Sequence, residues 1–320
     1  TTLGLKRISE LKCEEYKEKI KTETCVGYSV FTKCPTRLIH YECNKVGHTG
    51  LIVGGKAATT GEFPHMAAIG WKTANGTIGF QCGGSLISER FVLTAAHCES
   101  HPDLGAPIVV RLGVQNLANS GIESAPVELK IVRMIIHPEY DSIDKENDIA
   151  LIELEKDITF HDRYLRPACL QQTEYSGPNV TATGWGKNST YGTTLDTLMK
   201  VTLPTKNILV CEEKLDSTSL SSDRQICAGG EGFKDTCEGD SGAPIQVSHS
   251  NAPCVYDVIG LTSFGAPKCG KGKNTPAIYT KTFYYLDWIE GIVWPETVTT
   301  TTSTTTPKPA ARYFLRSSWI

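Results

Sequence analysis

Residues 83–98, GGSLISERFVLTAAHC, decide how this chain is read. A glycine pair opens the stretch, and the apolar runs Leu86-Ile87 and Phe91-Val92-Leu93 flank a polar break at Ser88-Glu89-Arg90. Both runs are short and bounded by turn-forming residues, which reads as strands rather than helix. Similar runs recur outward in both directions: HMAAIGW (65–71), PIVVRLG (107–113), ELKIVRMII (128–136), DIALIEL (148–154), VTATGWG (180–186), CVYDVIGLTSFG (254–265) and AIYTK (277–281). Gly, Pro, Asn and Ser clusters separate them, and helix-period stretches are nearly absent. The spacing predicts an all-β barrel or sandwich. One helical pattern closes it, FYYLDWIEGIVW (283–294), with Tyr285, Ile289 and Ile292 on one face.

The chain has 320 residues, enough for one large domain with appendages or for two domains. Its 32 Lys and Arg against 35 Asp and Glu leave a net charge of −3, so neither nucleic acid nor an anionic membrane is an expected target. No apolar run approaches the length of a membrane span. The chain begins at Thr1 without an apolar leader, so a secretory signal is expected to have been removed already. Twelve cysteines occur with no C-x-x-C pair, and H-E-x-x-H is absent, so disulfides are expected rather than zinc. Sequons at Asn75, Asn179 and Asn188 agree with a secreted, extracellular glycoprotein.

Residues 1–51 differ in texture. They hold nine Lys and Arg, six Glu, and Cys13, Cys25, Cys34 and Cys43. The run KRISELKCEEYKEKIK (6–21) predicts a short helix with Ile8, Leu11, Tyr16 and Ile20 inward. This part is too small for a core of its own without crosslinks. After Pro295, TVTTTTSTTTPKP is a Thr/Pro segment that cannot bury a core and whose composition suits O-glycosylation. The expected organisation is an N-terminal segment over 1–51, a principal domain over 52–295 and a disordered tail over 296–320.

Three local constellations carry chemistry. His97 ends a strand-like run in TAAHC, Asp148 leads an apolar strand in NDIALIEL, and Ser241 lies in a glycine-rich turn in DTCEGDSGAP. A serine hydroxyl is a poor nucleophile until a base takes its proton, and a histidine serves as that base when a carboxylate fixes its tautomer. Singly, each would read as a surface histidine, a turn aspartate and a flexible turn. Together and in that order they point to nucleophilic catalysis.

Residues 52–294 resemble the chymotrypsin/trypsin family of serine proteases. The matching motifs are IVGG (52–55), TAAHC, DIALIEL, GWG (184–186), GDSG (239–242) and TPAIYTK (275–281), in the family's order. The resemblance implies two packed six-stranded antiparallel β-barrels with a C-terminal helix and an active site between them. It implies Ser241 as nucleophile, His97 as general base and acid, Asp148 as its orienting carboxylate, and the backbone N–H groups of Gly239 and Ser241 as the oxyanion hole. Ser263, Phe264 and Gly265 would pair with the substrate backbone, with Phe264 where the family commonly has Trp. Asp235 would form the floor of a pocket for Arg or Lys. A cut between Leu51 and Ile52 would free an α-ammonium to pair with Asp240. Because Leu51 is apolar, such an enzyme would not activate itself, and an upstream protease cutting after Leu is expected.

Two residues depart from the family pattern. Ala243 stands for the second glycine of GDSGGP, and Ala277 for a glycine lining the specificity pocket. On these rests the rival reading, a catalytically impaired homologue acting as a binding cofactor; a lectin-like or adhesive β protein is a third reading. Val114 stands where calcium-binding members commonly have Glu, so neither calcium nor another metal or cofactor is expected. The family pairs Cys82 with Cys98, Cys211 with Cys227, Cys237 with Cys269, and Cys43 with Cys169. Cys254 then needs another partner, and Cys13–Cys254 beside Cys25–Cys34 is the expected arrangement, with other pairings of these four open. Residues 1–51 resemble the light chain of arthropod clip-domain proteases, especially snake-like and venom-type enzymes, through CEEY, GHTGLIVGG and GEFPHMAAIGW. A full clip carries six cysteines, so this is a degenerate or truncated one. Protein substrates with Arg or Lys at the cut, an upstream protease and serpin-type inhibitors are the implied partners.

Overall fold

The run 65–71 shows how sequence becomes a barrel wall. In a strand, alternate side chains face opposite sides. In β5 (Met66–Lys72) Ala67, Ile69 and Trp71 point into one core with Leu86, Val110, Leu112, Leu129 and Ile152. Met66 and Ala68 point the other way, into a second cluster with Trp185, Leu198 and Ala243. A strand buried on both faces is apolar throughout, as this one is. A computed structural model describes residues 6–26, 36–41, 51–52, 55–118, 126–160, 164–187, 194–217, 220–231, 239–266 and 275–295.

The first barrel closes in the order β10-β7-β6-β5-β8-β9, formed by β5, β6 (Ile78–Leu86), β7 (Phe91–Thr94), β8 (Val109–Leu112), β9 (Val127–Ile136) and β10 (Ala150–Leu154). The second follows β12-β15-β16-β17-β14-β13 and closes through β12–β13 pairing. Its strands are β12 (Asn179–Gly184), β13 (Met199–Lys206), β14 (Gln225–Gly229), β15 (Pro244–His249), β16 (Ala252–Phe264) and β17 (Pro276–Lys281). Val180, Ala182, Leu203, Ala228, Ile245, Ile259 and Tyr279 fill it. β3 (Leu51–Ile52) and β4 (Gly55–Ala57) extend the sheet beyond β13, and β11 (Cys169–Leu170) pairs parallel with β16. The structure is thus the pair of six-stranded antiparallel barrels that the family resemblance implies.

The closing helix, α3 (Leu286–Val293), buries Leu286, Ile289 and Val293 against Phe91, Leu93 and Leu151 of the first barrel and Val258 and Leu261 of the second. Complete burial of one such aliphatic side chain contributes about 1.5–3 kcal/mol, so α3 joins the two barrels at one end. A further helix, α2 (Ile208–Leu215), begins at Asn207, whose side chain accepts from the Leu209 N–H at 3.0 Å.

The N-terminal segment forms α1 (Ile8–Glu18) and a hairpin of β1 (Lys21–Val26) and β2 (Thr36–Tyr41). The predicted inward face of the helix needs correction. Ser9, Cys13 and Tyr16 are buried along with Ile20, whereas Leu11 is 47% exposed. The cause is polar and covalent: Ser9 donates to the carboxylate of Glu290 on α3, and Cys13 is bonded to Cys169.

That disulfide corrects two expected pairings, Cys43–Cys169 and Cys13–Cys254. α1 packs on β11, which brings the Cα atoms of Cys13 and Cys169 to 5.1 Å, within bonding range. Cys254 lies in the same buried cluster and is bonded in another disulfide, as is Cys25. Cys82 is bonded to Cys98, and Cys211 to Cys227. Cys34, Cys43, Cys237, Cys269, Asn188 and the tail 296–320 lie outside the described residues. Asn75 and Asn179 are exposed. No described helix is long and apolar enough to cross a membrane.

Candidate active site

Strand register brings the first two residues together. β7 and β10 are antiparallel with Thr94 opposite Ala150. The chain leaving β7 and the chain entering β10 therefore meet at one end of the barrel. His97, on the 3₁₀ turn Ala96–Glu99, and Asp148, two residues before β10, face each other there. His97 Nδ1 lies 2.8 Å from Asp148 Oδ2, and the His97 backbone N–H donates to Oδ1 at 2.9 Å. With Nδ1 as donor, Nε2 is the nitrogen free to accept a proton.

Asp148 is fully buried, and its remaining surroundings are polar. The Ser263 hydroxyl, at the end of β16, donates to Oδ2 at 2.5 Å, and Thr280 Oγ1 donates to the Asp148 backbone carbonyl at 2.9 Å. Burial is the largest influence on the Asp148 carboxyl and pushes it up. The hydrogen bond and charge of His97 together with the Ser263 hydroxyl outweigh burial and hold it below the usual range. The adjacent Asn147 is buried and accepts from Tyr285 OH at 3.0 Å, which ties this loop to the segment before α3.

Ser241 comes from the second barrel, in the turn entering β15. Its carbonyl accepts from the Gly83 N–H of β6 at 2.8 Å, and the next N–H, of Gly242, donates to Thr262 at 2.8 Å. A Cβ on Gly242 would lie 2.1 Å from Thr94 Oγ1 and 2.8 Å from the Ala95 nitrogen, and its φ is +72°. Only glycine lets this turn close against the segment that leads into His97. Gly239 has φ +97°, and a Cβ there would lie 3.0 Å from the Cα of Gly186.

Asp240 explains the glycines of GWG. The Gly186 N–H donates to its Oδ1 at 2.8 Å, and a Cβ on Gly184 would lie 2.0 Å from that oxygen. The two departures from the family pattern have different surroundings. Ala243 is buried between the barrels, its methyl facing Gly83, where a Cβ would approach within 2.8 Å. There it packs with Phe63, Met66 and Trp185. Ala277 faces Gly265, where a Cβ would come within 3.2 Å of the alanine methyl. Asp235 lies outside the described residues, and for Leu51 and Ile52 only the backbone, paired with Lys56 and Gly55, is described.

Local sequence reading missed the carboxylate contact of Ser263, the roles of Thr280 and Tyr285, and the wedge at Gly242. Nothing near Ser263 in the sequence signals a partner 115 positions away. Among the described residues, the potential ligand atoms of Cys82, His97 and Cys98 come within 4.8 Å of one another, but the two sulfurs are bonded together.

The Trypsin family profile matches residues 52–289. The chain belongs to the trypsin family of serine proteases. It is similar to "Serine protease snk" of Drosophila melanogaster, 37% identical over 306 residues that cover 91% of this chain and 66% of that protein. "CLIP domain-containing serine protease B4" of Anopheles gambiae is 35% identical over 303 residues, 90% of this chain and 82% of that protein. "Phenoloxidase-activating factor 1" of Holotrichia diomphalia is 36% identical over 276 residues, covering 81% and 74%. This serine protease therefore resembles arthropod proteases over most of its length, its N-terminal segment included.

Proposed function

We propose that this protease is a secreted zymogen of an endopeptidase that cuts protein substrates after Arg or Lys, as one step of an extracellular cascade. The observation that carries the reading is the buried Asp148 carboxylate, hydrogen-bonded to both the ring and the backbone of His97, beside a Ser241 turn wedged against the same strand end. Ser241 attacks the scissile carbonyl, and His97 Nε2 takes its proton and then passes it to the leaving amine. Asp148 holds the tautomer and stabilises the imidazolium. The N–H groups of Gly239 and Ser241 bind the developing oxyanion.

Asp235 supplies the charge that pairs with the substrate's basic side chain, since a carboxylate at the floor of a narrow slot needs a cationic partner. The Ala277 methyl, facing Gly265, narrows the pocket wall and alters the balance between a planar guanidinium and a compact ammonium. Cleavage between Leu51 and Ile52 frees the α-ammonium that pairs with Asp240. A cation-binding pocket does not accept Leu51, so activation falls to another protease. The name of the Holotrichia relative, an activating factor, agrees with a place in a cascade.

The test is a peptide panel differing only in the residue before the scissile bond, run on the cut enzyme and on Ser241→Ala. Arg and Lys substrates should be cut and the variant should be inactive. Faster cleavage after Phe or Leu would refute the pocket assignment, and activity in Ser241→Ala would refute the mechanism.

A further inference from the structure

The N-terminal segment is fastened to the barrels by non-covalent contacts and by the Cys13–Cys169 disulfide. Arg7 donates from Nε to Glu290 Oε1 at 3.1 Å and from Nη2 to Oε2 at 2.7 Å, and Tyr16 OH donates to Glu89 at 3.1 Å. The disulfide joins α1 to β11 at the edge of a cavity of about 290 Å³, lined by Cys13, Glu14, Lys17, Gln172, His249 and Asp257 among others. Both sulfurs are in largely buried residues, so the cavity is the approach to the Cys13 side.

Charged and polar side chains surround this crosslink. His249 Nδ1 lies 2.9 and 3.0 Å from the two carboxylate oxygens of Asp257, across the hairpin of β15 and β16. With Nδ1–H donating there, Nε2 accepts from Lys17 Nζ at 3.0 Å. One ligand-type atom from each of Cys13, Cys169, His249 and Asp257 lies within 4.8 Å of all the others. His249 ends β15 at the far end from Ser241, and Asp257 lies mid-strand in β16, six residues before Ser263, so the Lys17–His249–Asp257 chain takes no part in peptide hydrolysis. Cys211–Cys227 offers a contrast. It is packed among Ile278, Ile208, Val210, Leu215 and other apolar residues.

We propose that Cys13–Cys169 is a reducible crosslink, opened by a dithiol with assistance from Lys17 and His249. A thiolate of the dithiol attacks Cys13 Sγ from the cavity. The Cys13–Cys169 bond breaks, a mixed disulfide forms on Cys13, and the electron pair leaves on Cys169 as thiolate. Exchange is faster when the leaving thiolate is stabilised, and the Lys17 ammonium, held at the cavity by His249 Nε2, supplies that stabilisation. The second thiol of the dithiol then attacks the mixed disulfide and releases Cys13. The dithiol is oxidised to its cyclic disulfide, the cystine is reduced by two electrons, and the two protons end on Cys13 and Cys169. The covalent Cys13 link between α1 and the barrels is thereby lost, leaving α1 held by contacts such as Arg7–Glu290 and Tyr16–Glu89.

The test uses the full chain under native conditions with limiting dithiothreitol, timed alkylation and mass mapping of the labelled cysteines. Cys13 and Cys169 should become labelled at least tenfold faster than Cys211 and Cys227. His249→Gln and Lys17→Gln should each slow that labelling severalfold and leave the Cys211–Cys227 rate unchanged. Each variant is checked for an unchanged thermal melt. Equal opening rates for the two disulfides would overturn the proposal. So would fast opening that both variants leave unchanged, because exposure alone would then explain it.

Discussion

Replacing Asp148 by Asn tests the catalytic geometry at its most constrained point. The wild-type carboxylate accepts from the His97 N–H at Oδ1 and from His97 Nδ1 at Oδ2, and Ser263 also donates to Oδ2. Both oxygens must therefore accept, which a neutral amide cannot do. If the amide nitrogen takes the Oδ2 position, His97 Nδ1 must accept, and Nε2 carries the proton it should be free to receive. If the nitrogen takes the Oδ1 position, it opposes the His97 N–H in a fully buried site. A hydrogen bond to a charged group contributes about 1.5–3 kcal/mol, and either orientation disrupts one of the two to His97. That corresponds to a fall of roughly 10- to 200-fold in kcat/KM. The assay is steady-state hydrolysis of an Arg peptide by the cut enzyme and its Asp148→Asn variant, with thermal melts to confirm folding. A loss below tenfold in a folded variant would refute the role given to this carboxylate.

Three other perturbations have defined outcomes. Gly242→Ala should reduce activity at least 100-fold and destabilise by about 1–3 kcal/mol, since its methyl meets Thr94 and Ala95 and its φ is +72°; near-normal kinetics would contradict the wedge. Ala277→Gly should change the ratio of Arg to Lys cleavage, and an unchanged ratio would remove the methyl from the specificity account. His65 is buried, which lowers its imidazole to about 4 against an opposing hydrogen bond with Gln246. A histidine kept neutral in the fold contributes stability that is complete above its unfolded value near 6.5 and is lost as pH falls towards 4. The loss is about 3 kcal/mol. Urea titrations should show His65→Gln with a shallower decline across that window, and parallel curves would exclude His65 as the cause.

Much of the fold was legible because burial imposes a period. The apolar run 65–71 reads as a strand, and its continuous burial follows from facing a barrel core on one side and the second barrel on the other. His97 and Asp148 were legible as chemistry, but only the Thr94–Ala150 register explains why they meet. The inner face of α1 was misread because an apolar count favours Leu11, whereas Ser9 and Cys13 are drawn inward by Glu290 and Cys169. The Cys13–Cys169 bond was illegible for the same reason: disulfide partners are chosen by packing, and spacing along the chain carries no record of it. The methyl at Ala243 reads in sequence as a departure beside the nucleophile. In the fold it is a core contact with Gly83.

The most direct test of the central claim is covalent labelling with a fluorophosphonate after cleavage between Leu51 and Ile52. The account predicts one label per chain, on Ser241, strongly reduced in the uncut chain and in His97→Ala. A cut, folded enzyme that takes no label, or takes it on a residue other than Ser241, would contradict the account.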